Sequence, residues 1–250
     1  MSAPPTPFYL DWQFWSAVAA FGALLLSQLP PVHVLLRRPK LSCEAFSRLH
    51  LTHKVGSPNS QWHLIVENVG GRSLRVKSIS LTFRRTGGDT FTLPAQNYLR
   101  TPDATESVMF APFRLAPGDE WAHVLNFFNH HSRDDDKEYR RMESAIRADI
   151  LRQQDDPANK DKMCEASPQS VALAMQFFER RFQWLPGEYE LELRVDTDRP
   201  EANLSRLYLF SLFESEASEL RTYSEGYKYG AGVYWVSPAQ PGILVPVREK

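Results

Sequence analysis

Apolar and polar residues alternate with a period of two through much of the chain, and that period predicts strands. From Leu41 to His53, one side carries Leu41, Cys43, Ala45, Leu49 and Leu51. Gly56-Ser57-Pro58-Asn59 reads as a turn, after which Trp62, Leu64 and Val66 alternate with His63, Ile65 and Glu67. Asn68-Val69-Gly70-Gly71 breaks the pattern. Leu74 and Val76 restart it, but Ile79, Leu81 and Phe83 continue on the opposite parity. A slip by one residue predicts a β-bulge near Lys77-Ser78, and Gly87-Gly88-Asp89 then closes a hairpin. Two further alternating runs, Trp121 to Phe128 and Tyr189 to Val195, each follow a Pro-Gly turn (Pro117-Gly118 and Pro186-Gly187). Leu204 to Phe213 is apolar on both parities and predicts a central, doubly buried strand. The count comes to about seven strands with regular turn signals, the pattern of a β-sandwich.

A period of 3.6 appears in two places. Asp134-Asp135-Asp136 suits a helix first turn, where carboxylates meet the positive end of the dipole. Tyr139, Met142, Ile146 and Ile150 then recur at helical spacing. Ser167-Pro168 is an N-cap followed by proline at the first helical position, with Val171, Met175, Phe178 and Phe182 as the apolar stripe. The stretch between, Gln153 to Glu165, is polar and aperiodic. Together these predict a helical insertion over about 134–182.

The N-terminal segment has neither period. No Asp, Glu, Lys or Arg occurs from Trp12 to Leu36; as a helix that stretch spans roughly 37 Å, enough for a bilayer core of about 30 Å. Phe21, Leu24, Leu25 and Leu26 form its apolar heart, with Trp12 and Trp15 at one end, where aromatic rings favour the headgroup level. Pro30-Pro31 predicts a stop or kink near Leu29. Arg37, Arg38 and Lys40 follow the stretch and no Lys or Arg precedes it, so the positive-inside rule puts the N-terminus outside and the main domain in the cytoplasm. The expectation is a single-pass anchor over residues 1–40 in the inner, cytoplasmic membrane, with the lipid bilayer as its partner, and a β-sandwich domain over 41–250.

Charge does not point to nucleic acid: the formal net charge is −1 and the arginine doublets are local. Two cysteines, Cys43 and Cys164, are too few for a zinc site by themselves. The chain has no dinucleotide-binding glycine pattern, phosphate loop, H-E-x-x-H or G-x-S-x-G. No cofactor is implied.

The run from His63 to Phe83, with Asn68, Gly70 and Ile79-x-Leu81, and the turn from Leu115 to Trp121 resemble bacterial immunoglobulin-like modules of the adhesion type over roughly a third of the chain. The whole layout looks, more loosely, like uncharacterised bacterial membrane-anchored proteins. The resemblance implies an immunoglobulin-like β-sandwich with two inserted helices behind one transmembrane helix, and carries no activity with it.

Two groups of residues bear on function. Tyr223, Tyr227, Tyr229, Tyr234 and Trp235 surround Gly226, Gly230 and Gly232, a Tyr/Gly composition shared with adaptable recognition loops. The same residues would equally serve as a loop folding back onto the sheet, and burial decides between the two. His130 and His131 with Asp134, Asp135 and Asp136 are the one metal-like cluster, although adjacent histidines at a strand end point apart. The resulting expectation is a membrane-anchored, non-enzymatic binding or scaffold module acting on a protein partner. Its alternatives are a metal-dependent hydrolase centred on His130, His131 and Asp134, or an extracytoplasmic adhesion-like module if the topology is inverted.

Overall fold

The alternating runs pair as antiparallel strands, each placing one parity in a shared core. The structure, a computed structural model, describes residues 12–28, 38–101, 104, 106–159 and 162–250. Strands β1 (Leu41–Ala45) and β2 (Arg48–Lys54) lie end to end against β3 (Ser57–Asn68). They are followed by β4 (Leu74–Arg85), β5 (Thr90–Leu99), the short β6 (Val108–Met109) and β7 (Phe113–Leu115), and β8 (Glu120–Phe128). Helices α2 (Arg133–Gln154) and α3 (Pro168–Arg181) then precede β9 (Gly187–Thr197) and β10 (Leu204–Leu212). The last elements are α4 (Glu214–Thr222), a 3-10 segment (Tyr223–Tyr229), β11 (Ile243–Pro246) and β12 (Arg248–Glu249). Helix α1 (Trp12–Gln28) stands ahead of them all.

The immunoglobulin-like sandwich is not what these strands build. They form one nearly closed, barrel-like antiparallel sheet whose main path is β11-β2-β3-β8-β5-β4-β9-β10-β12, with four α-helices among the described residues. Two joins turn would-be layers into a barrel. Strand β5 pairs with β4 from Thr90 to Pro94 and with β8 from Ala95 to Leu99, and its register shifts between Ala95 and Asn97. Pro94, with no N–H to give, sits where the strand leaves one partner for the other. At the opposite side, β11 pairs with β2 and β12 with β10. These two strands are consecutive in the chain, so residues 243–249 straddle the remaining gap. Val247 N–H donates to the Ser47 carbonyl and Lys250 N–H to the Leu207 carbonyl. A strand that changes sheets closes a corner that two separate layers would leave open.

The expected bulge is present, as a register shift between Val76 and Ser78 where β4 meets β9. The predicted burial of Tyr139, Met142, Ile146 and Ile150 on α2 also holds, and Ser132 caps that helix by accepting from Asp135 N–H. Ser167 caps α3 in the same way, through Ser170 N–H. The expected stripe of α3 is rotated: Ala174, Phe177 and Phe178 are the deeply buried residues, with Val171 and Met175 only partly covered. Strand β10 is not doubly buried. Its burial alternates, with Tyr208, Phe210 and Leu212 on the core face and Leu209, 41% exposed, on the other.

The membrane anchor is likewise corrected. Among the described residues helix α1 spans Trp12–Gln28, and these 17 residues extend for about 25 Å at 1.5 Å each, short of a bilayer core of about 30 Å. No helix among the described residues is long and apolar enough to cross a membrane. The single-pass placement, the inner-membrane location and the bilayer as partner fall with it. Trp12, Trp15, Phe21, Leu24 and Leu25 are exposed on α1. The side chain of Leu26, the Pro30-Pro31 kink and Arg37 lie outside the described residues. Arg38 and Lys40 are exposed at the entry to the barrel, where the Lys40 carbonyl accepts from Gly70 N–H.

Candidate functional site

The β2–β3 hairpin turns at Val55 and Gly56, both with positive φ (44° and 84°), so the turn lies one residue earlier than the expected Gly56–Asn59. A side chain at position 56 would strike the backbone of Phe178, with its Cβ 2.5 Å from the Phe178 carbonyl oxygen. Glycine is therefore required by both conformation and space.

Beside the turn, His53 is held on all sides. Its Nε2–H donates to the Leu220 carbonyl (2.8 Å), and its Nδ1 accepts from Gly56 N–H (3.1 Å). Phe178, Phe182 and Tyr223 surround the ring. Burial pushes its pKa down to about 4, so the imidazole is neutral and fixed in one tautomer. The Trp184 indole N–H donates to the Thr52 carbonyl (2.7 Å). These contacts hold the hairpin tip rigidly and leave Lys54, on the other parity from His53, exposed.

Two clefts meet at that lysine. The first, about 290 Å³, lies between the tip and the C-terminal loop; Thr52, Lys54, Asn59, Glu143, Tyr234 and Trp235 are among its lining residues. The second, about 360 Å³, lies between the tip and the β8–α2 connection, lined by Lys54, Ser57, Asn59, Asn129, His130, His131, Asp136 and Phe128. Tyr139 links the two. Its hydroxyl donates to the Val233 carbonyl in the first cleft, while the Lys54 ammonium lies 5.1 Å from its ring centre and His131 stacks on the ring at 5.2 Å.

Neither the family models nor the curated proteins compared with this chain give a match. The geometry alone carries the functional argument.

The Tyr/Gly segment divides by burial. Tyr227 is a core residue packed near Phe178, and burial raises its hydroxyl pKa well above the ordinary tyrosine value. Tyr223 is buried too; its hydroxyl accepts from Gly242 N–H (3.1 Å), and its ring edges the first cleft. Tyr229 is half-buried under the Lys228 ammonium, and its carbonyl accepts from the Trp235 indole N–H (3.0 Å). Tyr234 packs over Gly230 and lines the first cleft with Trp235, which is 41% exposed. The segment thus contributes both a core and a rim.

The metal-like cluster does not converge. His131 lies against Tyr139 and Phe177, whereas His130 meets the edge of Phe128. Asp135 accepts from Ser132 and Arg181, which hold its carboxyl below the usual range, and Asp136 accepts from Arg140 (2.8 Å). Asp134 is exposed and lines neither cleft. Among the described residues no group of three or more His, Cys, Asp or Glu side chains is placed to hold a metal. Cys43 and Cys164 are buried free thiols, and burial pushes the Cys43 thiol up to about 12.

Sequence reasoning missed Lys54, Ser57 and Asn59. Their only sequence signal is position beside a turn, and which elements face that turn is decided by α2, α3 and the C-terminal loop arriving from far along the chain.

Proposed function

We propose that this chain is a non-enzymatic binding module whose partner is a protein segment seated in the first cleft. One observation supports the reading above others. Lys54 and Glu143 both line the cleft, and among the described residues neither side chain makes a hydrogen bond or ion pair, the Lys54 ammonium lying only over the Tyr139 ring. The cleft therefore presents one cation and one carboxylate to whatever enters it. Trp235 and the largely exposed Val236 stand on the same wall. Aromatic anchors beside charges that await partners are the composition of a recognition surface, in which a few residues supply most of the affinity.

Panning a random peptide library on the full-length chain tests this. The enriched peptides should carry both an acidic and a basic residue. Trp235→Ala should weaken their binding by about thirty-fold, corresponding to about 2 kcal/mol at a hot spot. Lys54→Glu should select against the acidic residue. Absence of enrichment, or peptides that bind Trp235→Ala as tightly as the parent, would overturn the reading.

A further inference from the structure

The second cleft has a different chemistry, although it shares Lys54 and Asn59 with the first. Its walls carry hydrogen-bonding groups that the protein leaves unused. Ser57 is only 6% exposed, and its hydroxyl has no hydrogen-bond partner. Nδ1 of His131 is buried and also has none. Asn59 adds a side-chain amide, and Lys54 adds an ammonium with no carboxylate partner among the described residues. These groups come from two directions, the hairpin tip and the β8–α2 connection, with the first turn of α2 beside them. Buried polar groups in proteins are almost always satisfied. Two unsatisfied ones, Ser57 Oγ and His131 Nδ1, belonging to the lining of one cavity point to a polar guest.

The sign of that guest follows from the charges. Asp136 is the one carboxylate lining the cleft, and the Arg140 guanidinium already holds it. Asp135, in the same helical turn, is paired with Arg180 and Arg181. The positive charge of Lys54 is therefore the one left uncompensated in the cleft wall. Burial lowers the pKa of His131; Arg181 and Lys54 act in the same sense and Asp135 and Asp136 against it, and the ring is neutral.

We propose that the cleft formed by Lys54, Ser57, Asn59 and His131 is an oxyanion site that takes a phosphate group. Lys54 supplies the charge, while the Ser57 hydroxyl and the Asn59 amide donate from the strand side. The imidazole of His131 donates through Nδ1 from the helix side, held in place by its stack on Tyr139. The void exceeds what a bare phosphate fills, which leaves room for the group that carries it.

The phosphate group can arrive as the free ion or on a protein side chain, and two titrations of the full-length chain separate these sources. The first adds inorganic phosphate, against sodium chloride at equal ionic strength, while amide NMR signals are recorded. Signals of residues 54–59 and 129–132 should shift saturably with phosphate and not with chloride. Lys54→Met should weaken binding by at least about ten-fold, the loss expected for one charge-assisted hydrogen bond. Ser57→Ala should weaken it by a smaller factor, with the amide spectrum elsewhere unchanged. The second titration uses a short phosphoserine peptide beside its unphosphorylated twin. Binding at least ten-fold tighter than inorganic phosphate assigns the site to a protein-borne group; equal binding assigns it to the free ion. The proposal is overturned if neither phosphate form gives saturable shifts at these residues, or if Lys54→Met and Ser57→Ala bind both as the parent does. Because inorganic phosphate needs no partner segment, failure here leaves the first cleft untouched, and failure of the peptide-library experiment leaves this site untouched.

Discussion

The barrel is closed twice, by unlike means. On one side β5 passes from β4 to β8 as a single strand of ten residues, with Leu93 fully buried midway and Phe91 stacked on Phe83 at 5.1 Å. On the other side the gap between β2 and β10 is spanned by residues 243–249, which make four pairings at one edge and two at the other. The first join is part of the sheet; the second is a clasp laid across it. Both are made of ordinary strand chemistry, so continuity of pairing, more than composition, separates a permanent corner from a seam.

The sharpest way to break the comparison is to remove the clasp. A chain stopped after Gly242 loses the buried Ile243, Val245 and Val247 and frees both sheet edges. At about 1.5–3 kcal/mol for each buried side chain, the loss should reach at least about 5 kcal/mol. Circular dichroism during urea unfolding reads it, and an unchanged midpoint would show that the β5 side alone holds the barrel. Leu93→Ala attacks the other join and should cost about 2–5 kcal/mol, as for a fully buried leucine. The two changes should also differ in kind. Amide exchange in the parent should be faster over residues 243–249 than over 90–99, and equal protection would erase the distinction between corner and clasp.

Acid should loosen the tip on which the clefts are built. His53 is neutral in the fold down to about pH 4, whereas an unfolded histidine takes its proton near pH 6.5. Above about 6.5 both states are neutral and the difference vanishes. As pH falls from about 6.5 to 4 only the unfolded chain gains the proton, so stability drops, by about 3 kcal/mol in total. His53→Gln should flatten that part of the stability profile, and a profile as steep as the parent's would place the acid sensitivity elsewhere. The smallest effect belongs to the surface of the clasp. Arg206 pairs with Glu249 in the open, so Arg206→Ala should cost no more than about 1 kcal/mol and less in high salt.

How far the sequence revealed this molecule depended on the range of the interactions involved. The slip at Lys77-Ser78 was legible because a bulge is written in the parity of one strand. The caps Ser132 and Ser167 were legible because they act over three residues. The barrel was not. Phe91, Leu93 and Ala95 alternate with Thr92, Pro94 and Gln96, but the change of partners at Pro94 depends on strands contributed by distant residues. The hairpin turn was misplaced because Val55 adopts a left-handed conformation that β-branched residues rarely take. The site followed the same rule. Tyr234 and Trp235 were visible as a Tyr/Gly segment, while the core role of Tyr227 depends on Phe178 coming to meet it. Lys54 and Ser57 gained their importance only when α2 and the β8–α2 connection faced them.

The clasp also sets the order of assembly. Leu51 meets Ile243, and Leu209 meets Arg248, so the first contact must close a loop through most of the chain before it returns any stabilisation. Hairpins such as β2–β3 and β9–β10 need only local encounters and can form early, whereas pairings of long sequence separation come slowly. The barrel is therefore expected to pass through an open form with β2 and β10 uncovered, and its slowest refolding phase should report the arrival of residues 243–249. In that interval two open molecules that meet can pair edge to edge, so the yield on refolding should fall as protein concentration rises.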